Sequence, residues 1–183
     1  MQKSLKSPVD GETMEAVTLD DGLQAHRCKS SGGYYITAGA YMDWLGRQPA
    51  RLPHKPGGES SIPLENNRPN ALICPESGTI MSRYKVGHGF KFSIDRSITG
   101  GIWLDAGEWE ALRERNFHDE INLVFTAPWQ AHVRDEAFHT AYEERLAEAL
   151  GEDLFGRVQS LRSELRDHPG NSLAIAYLMD TRG

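Results

Sequence analysis

The residues able to do chemistry in this chain are sparse, and the most suggestive of them lie in turns. Cys28-Lys29-Ser30-Ser31-Gly32-Gly33 and Cys74-Pro75-Glu76-Ser77-Gly78 hold the two cysteines. Each has a counterpart in the other half of the sequence, Ser97-Ile98-Thr99-Gly100-Gly101 and Ser7-Pro8-Val9-Asp10-Gly11. Paired thiolates at such turns hold structural metals, but here each turn carries one thiol or none. His132, Glu136 and His139 recur at i, i+4 and i+7, a helical spacing that can hold a metal; the expectation is instead a polar face turned to solvent. His118-Asp119-Glu120 reads as a polar connector rather than an acid–base group. The sequence contains no Ser/His/Asp or Cys/His arrangement with a nucleophile turn, no phosphate-binding loop and no dinucleotide glycine motif. No catalytic residue is assigned, and the chain is not expected to be an enzyme.

Bulk properties bound the partners. A chain of 183 residues can bury a core without disulfides or metal. The formal charge of -6 and pI near 5.6 oppose broad attraction to nucleic-acid phosphates. Two cysteines are too few for a disulfide framework, and Cys28 and Cys74 are not expected to pair. With no apolar stretch of signal-peptide or membrane-span length, a bacterial-type cytoplasmic protein is expected.

The elements that position the turns follow from local patterns. In residues 1–45, Asp20-Asp21-Gly22 between Val17-Thr18-Leu19 and Leu23-Gln24-Ala25 predicts a hairpin, and Thr37 is an N-cap for the helix through Leu45. Residues 46–71 hold five of the nine prolines and read as a linker. Arg47, Arg51, His54, Lys55 and Arg68 give that linker a basic character, with a solvated spacer the expected role. Residues 72–116 repeat the first unit: Tyr84-Lys85-Val86, a Gly87-His88-Gly89 turn, then Phe90, Phe92 and Ile94 alternating onto one face. Asp105 and Glu108 have capping-box spacing ahead of Trp109. Residues 117–183 read as an acidic helical region, with ten acidic and six basic residues from Trp129 onward. Gly151 separates its first two helices, and the apolar segment Leu173 to Met179 is expected to be buried, within the protein or against another copy.

Asp95-Arg96 followed by Gly100-Gly101-Ile102-Trp103-Leu104-Asp105-Ala106-Gly107-Glu108 resembles the close of the small bacterial zinc-ribbon family of the transcription factor IIB type. The resemblance covers roughly residues 4–45 and 72–113 and implies two tandem ribbons. It implies that Ser7, Asp10, Cys28 and Ser31 stand at the four ligand positions of the first, while Cys74, Ser77 and a second turn one residue short stand in the other. Neutral hydroxyls are poor substitutes for thiolate, so neither unit is expected to hold zinc, and no cofactor is assigned. Because the turns converge in that fold, Asp10, His26 and Cys28 form a residual metal candidate, with an unliganded turn around a buried thiol the expected state. Losing a structural zinc forfeits roughly 10 to 16 kcal/mol. Packing by Tyr34, Tyr35, Phe90, Phe92, Ile98 and Trp103 is expected to replace it. Tyr34, Tyr35, Tyr41, Trp44, Trp103 and Trp109 are expected in the core rather than as base-stacking platforms, with Trp109 partly exposed.

The sequence thus predicts an α+β protein of two metal-free ribbon-like hairpin units, each ending in a short helix, plus a helical C-terminal region. A non-catalytic adaptor that binds another protein or itself is the expected role, with a nucleic-acid- or transcription-associated module as the alternative; no binding residues are assigned. The purified chain should carry substoichiometric zinc and keep its melting temperature in chelator. Elemental analysis checks this, and one tightly held zinc per chain would contradict it.

Overall fold

The computed structural model describes residues 4–49, 53–55, 64 and 68–180. Its contacts divide the chain into two compact units, Met1–Arg134 and Asp135–Gly183. The first is α+β and the second is helical.

The first unit is built on one six-stranded antiparallel sheet in the order β1-β2-β3-β6-β5-β4. Its first half comprises β1 (Glu15–Thr18), β2 (Gln24–Arg27), β3 (Tyr34–Ile36) and α1 (Ala38–Leu45). The hairpin turns at Asp21 and Gly22, whose φ values of 54° and 81° are the left-handed conformation expected of Asp-Gly. Thr37 Oγ1 accepts from Ala40 N at 3.2 Å and starts α1. The second half comprises β4 (Ser82–Gly87), β5 (Phe90–Arg96), β6 (Ile102–Leu104) and α2 (Glu108–Glu114). A short α3 (Ile121–Val124) and a long α4 (Ala127–Leu150) follow.

The two halves repeat each other bond for bond at their turns. Ser7 N donates to Glu12 O and Gly11 N to Ser7 O; Cys74 N donates to Thr79 O and Gly78 N to Cys74 O. Cys28 N donates to Gly33 O and Gly32 N to Cys28 O, while Ser97 N donates to Gly101 O and Gly100 N to Ser97 O. The last of these turns closes with one residue fewer than its counterpart. The halves join where β3 pairs with β6 in the register Tyr34↔Leu104, Tyr35↔Trp103 and Ile36↔Ile102. An approximate two-fold axis therefore passes through the Tyr35/Trp103 pair.

Contacts across this seam are reciprocal. A Cβ at Gly32 would stand 3.1 Å from the Ala106 Cβ, and one at Gly100 would stand 3.0 Å from the Ala38 Cβ. A Cβ at Gly33 would strike the Trp103 ring, and one at Gly101 would strike the Tyr35 hydroxyl. Each half's aromatic thus covers a glycine of the other.

The sheet buries both faces. On one, Leu23, Ile36, Phe92, Ile94, Ile102 and Leu104 pack with Tyr41 and Trp44 of α1 and Trp109 and Leu112 of α2. On the other, Tyr35 and Trp103 pack with Met14, Cys28, Leu72, Cys74 and Met81. Phe92 and Ile94 are buried as their alternation predicts, with Phe90 partly buried beside them.

Three expectations need correction. Trp109 is 1% exposed, because α2 lays its first turn on the sheet, with Trp44 edge-on at 5.9 Å. Ile98 is 85% exposed at the tip of the shortened turn and replaces no metal. Asp105 does not cap α2 with its side chain: the helix starts at Glu108 after Gly107, whose φ is 86°. Only the returning half of the capping box forms, with Asp105 N donating to Glu108 Oε2 at 2.8 Å. The Asp105 carboxylate is drawn instead to Trp103 Nε1 and Arg68.

In the second unit the remainder of α4 is followed by α5 (Glu152–Leu165) and α6 (Asn171–Met179). Gly151, at φ 76°, breaks α4 from α5 as expected. No residue of α5 or α6 is buried. Leu173, Tyr177 and Met179 are 79%, 83% and 75% exposed, so the helical unit by itself does not bury this segment.

The seam sets a graded prediction. Gly11 has φ 77° but open space around it, so Gly11→Ala should cost about 1 kcal/mol of strain alone. Gly101→Ala and Gly33→Ala collide with buried rings and should cost roughly 3 kcal/mol or more. Urea melts of the three variants check the order. Gly32→Val and Gly100→Val should likewise exceed Cys28→Ser and Cys74→Ser.

Candidate functional site

The turns at the sheet's far face bring the sequence-predicted chemistry together as two hydrogen-bonded thiol clusters. In the first, Cys28 is buried and donates to Asp10 Oδ2 at 3.3 Å, with Ser30 Oγ 3.1 Å from its sulfur. Ser30 also donates to Asp10, whose Oδ1 accepts from Glu12 N at 3.0 Å. Ser7 Oγ accepts from Val9 N, and Ser31 Oγ faces Gly33 N. Hydrogen bonds from Ser30, the Glu12 amide and Ser7 hold the Asp10 carboxyl far below its ordinary range. Burial raises the Cys28 thiol, and hydrogen bonds from Ser30, Ser31 and Ser7 outweigh it, leaving a net lowering.

The residual metal candidate here is Asp10, His26 and Cys28, with an unliganded turn the expected state. At this cluster the side chains whose donor atoms lie within 4.8 Å of one another are Asp10, Glu12 and Cys28. His26 sits on β2 paired with Tyr35 and is not among them. Glu12 was missed because nothing in its spacing marks it; it arrives through the turn that Gly11 closes.

The second cluster gathers Cys74, Ser77, Ser97 and Thr99 at the turns of the other half. Ser97 Oγ lies 2.7 Å from Thr99 Oγ1 and accepts from Gly101 N at 2.9 Å, and Ser77 Oγ lies 2.8 Å from Thr79 Oγ1. One thiol and three neutral hydroxyls, each already hydrogen-bonded, do not fit a tetrahedral zinc. Tyr35, reaching across the seam from the first half, places its hydroxyl 3.3 Å from Cys74 Sγ and 2.6 Å from Glu76 Oε2. Burial raises the Cys74 thiol, but Ser77, Tyr35 and Ser97 outweigh it and bring it to about 7. Burial and the hydrogen bonds to Cys74 and Glu76 push the Tyr35 phenol far up. The phenol has one proton, so ionised Cys74 competes with Glu76 for it.

Beside this cluster lies a buried ionic network. Asp95, 2% exposed, accepts from Arg83 Nε at 3.1 Å and lies 3.7 Å from Arg68 Nη2. Arg68 also reaches Asp105 at 2.8 Å and stands 5.9 Å over the Trp103 ring. Glu108 is raised well above its ordinary value, first by burial and then by the Asp105 charge.

Of the linker's basic residues, His54 and Arg68 pair with carboxylates far along the chain. His54 stacks on Phe117 at 3.8 Å and pairs with Glu120 at 2.8 Å, and Arg47 Nε donates to Asp43 O. Lys55 N donates to Arg115 O, and Arg51 lies outside the described residues. Burial lowers the His118 imidazole, whose ring lies 5.8 Å from both Trp44 and Trp109. Tyr35, Tyr41, Trp44 and Trp103 are buried and Tyr34 is half-buried, as expected of core residues. On α4, His132 is exposed and His139 lies 3.8 Å from Asp135. Among the described residues, no helix is long and apolar enough to cross a membrane.

The second unit contributes a different kind of site. Phe138, Tyr142 and Leu146 of α4 and Phe155 and Val158 of α5 line an apolar groove of about 460 Å³. Glu143 and Arg162 face each other at 3.7 Å on its rim. Phe138 is 68% exposed and Tyr142 51%, an apolar display that a helix at a solvent boundary does not normally keep.

The thiol cluster gives a pH prediction. Cys74 is depressed from an unfolded value near 8.5, so its contribution is complete above that value and lost as pH falls through about 7. Stability should therefore rise by about 1 to 2 kcal/mol between pH 7 and 9, and Tyr35→Phe should flatten the rise. Denaturant melts across that range, with thiolate absorbance, check it. No family model, curated protein or solved structure matches this chain.

Proposed function

We propose that this chain is a non-catalytic interaction protein: two metal-free zinc-ribbon-like repeats fused into a rigid platform, followed by a helical region that docks on a protein surface. The observation that carries this reading is the apolar display of the helical unit, where neither α5 nor α6 holds a fully buried residue and Phe138, Tyr142, Leu173 and Tyr177 are all at least half exposed. Apolar patches of this kind mark protein-binding surfaces. Hydrogen bonds within the clusters at Cys28 and Cys74 support a structural role for the former ligand turns, without cofactor or catalysis. The cytoplasm, where thiols stay reduced, suits two unpaired cysteines.

The alternative is a nucleic-acid- or transcription-associated module, favoured only by the ribbon resemblance. Against it stand the net charge of -6 and the engagement of Arg68, Arg83 and His54 with carboxylates.

Affinity capture with the full chain and with the double variant Phe138→Asp/Leu173→Asp tests the reading. A polypeptide recovered by the first and lost with the second is expected. Equal recovery by both, or retention on heparin and a shifted oligonucleotide at low salt, would sink it.

A further inference from the structure

We infer that the partner of the helical region is a second copy of the same chain, held by reciprocal exchange: α6 of each protomer fills the α4–α5 groove of the other. The inference rests on the interaction reading above and names its occupant.

Helix α6 runs Asn171-Ser172-Leu173-Ala174-Ile175-Ala176-Tyr177-Leu178-Met179, with no charged residue. Apolar residues surround its axis rather than forming one stripe, and a helix apolar all round belongs inside a core. Within its own helical unit it has no such place: Leu173, Tyr177, Leu178 and Met179 are 63% to 83% exposed. No α6 residue lines the groove. The turn before α6 is tied down by His168 N to Leu165 O, Gly170 N to His168 Nδ1 and Asn171 N to His168 O, which fixes its departure from α5.

The groove matches α6 in size and character. Its α4 wall runs from Phe138 to Leu146, about 12 Å of helix, and the nine residues of α6 span about 14 Å. The Glu143–Arg162 pair leaves the rim without an uncompensated charge to repel an uncharged helix. The exposed large apolar side chains of α4 to α6 offer on the order of 1,000 Å², against the roughly 800 Å² per partner of a standard interface. A two-fold dimer closes both grooves with both helices and leaves neither plug nor socket over. At nine residues α6 is far too short to span a bilayer of roughly 30 Å.

Sedimentation velocity of the full chain at tens of micromolar tests this, with circular dichroism to confirm folding of each variant. The expected species has twice the 20.4 kDa mass of one chain. Tyr177→Asp/Leu178→Asp on α6 and Phe138→Asp in the groove alter exposed positions, and each should weaken the dimer by roughly 30-fold or more. Mixing the two variants should restore a mixed dimer, because one intact helix–groove pair remains. Added salt should not dissociate the wild-type dimer, since apolar burial rather than charge holds it. A monomeric wild-type chain, a dimer indifferent to either variant, or a failure of the mixture to pair would each overturn the proposal. Pelleting of a monomer with anionic vesicles would overturn it in favour of a lipid surface. A monomer that still captures a different polypeptide through Phe138 would refute self-exchange while leaving the interaction reading intact.

Discussion

Tyr35 and Trp103 stand opposite each other in the β3–β6 ladder, and each lies over a glycine of the other half. This reciprocal contact is what the first unit depends on. It joins two three-stranded sheets into one, covers both second turns, and carries the Tyr35 hydroxyl to the thiol of the opposite repeat. A hairpin unit of about 40 residues has too little interior to stand alone without a staple. Here each half serves as the other's staple, and the side chains that do so are large aromatics filling space near the turns. The turns themselves persist as backbone devices, closed by the same amide–carbonyl pairs in both halves.

Much of this was legible from local signals. Asp-Gly and Gly-His-Gly turns, the Thr37 cap, the alternation of Phe92 and Ile94 and the break at Gly151 each follow from a rule acting over a few residues. What the sequence left hidden required knowing which distant residues meet. Glu12 enters the Cys28 cluster and Glu76 meets Tyr35 only after the turns and the seam have formed. Asp105 has the spacing of a cap, yet Trp103 and Arg68 compete for its carboxylate and win, because both stand in the buried network around Asp95. Trp109 looked half-exposed beside acidic neighbours, but Trp44 and His118 enclose it from elements far away in sequence.

The two units follow opposite packing rules. Among the described residues of Met1–Arg134, several arginines are held inside the fold, Arg83 on buried Asp95, Arg68 on Asp105 and over Trp103, and Arg115 stacked 4.2 Å from Phe90. Such pairs orient side chains and leave little free positive field. In Asp135–Gly183 the ion pairs lie at the surface, where they contribute little, and the apolar residues lie there as well. One unit gathers its large apolar side chains into cores, and the other leaves many of them exposed.

The seam also divides the entropy of folding unevenly. Every other ladder pairs residues between 3 and 14 positions apart, whereas Tyr35 and Trp103 are 68 apart. Closing that longer loop adds on the order of 2 kcal/mol to the cost of a local hairpin, and doubling it again would add only about 0.6 kcal/mol. The hairpins close through local contacts and the seam through a non-local one. Because closure cost grows only slowly with loop length, the span between the halves could lengthen at little entropic cost. The facing glycines and rings have no such latitude, since any added Cβ meets the opposite half.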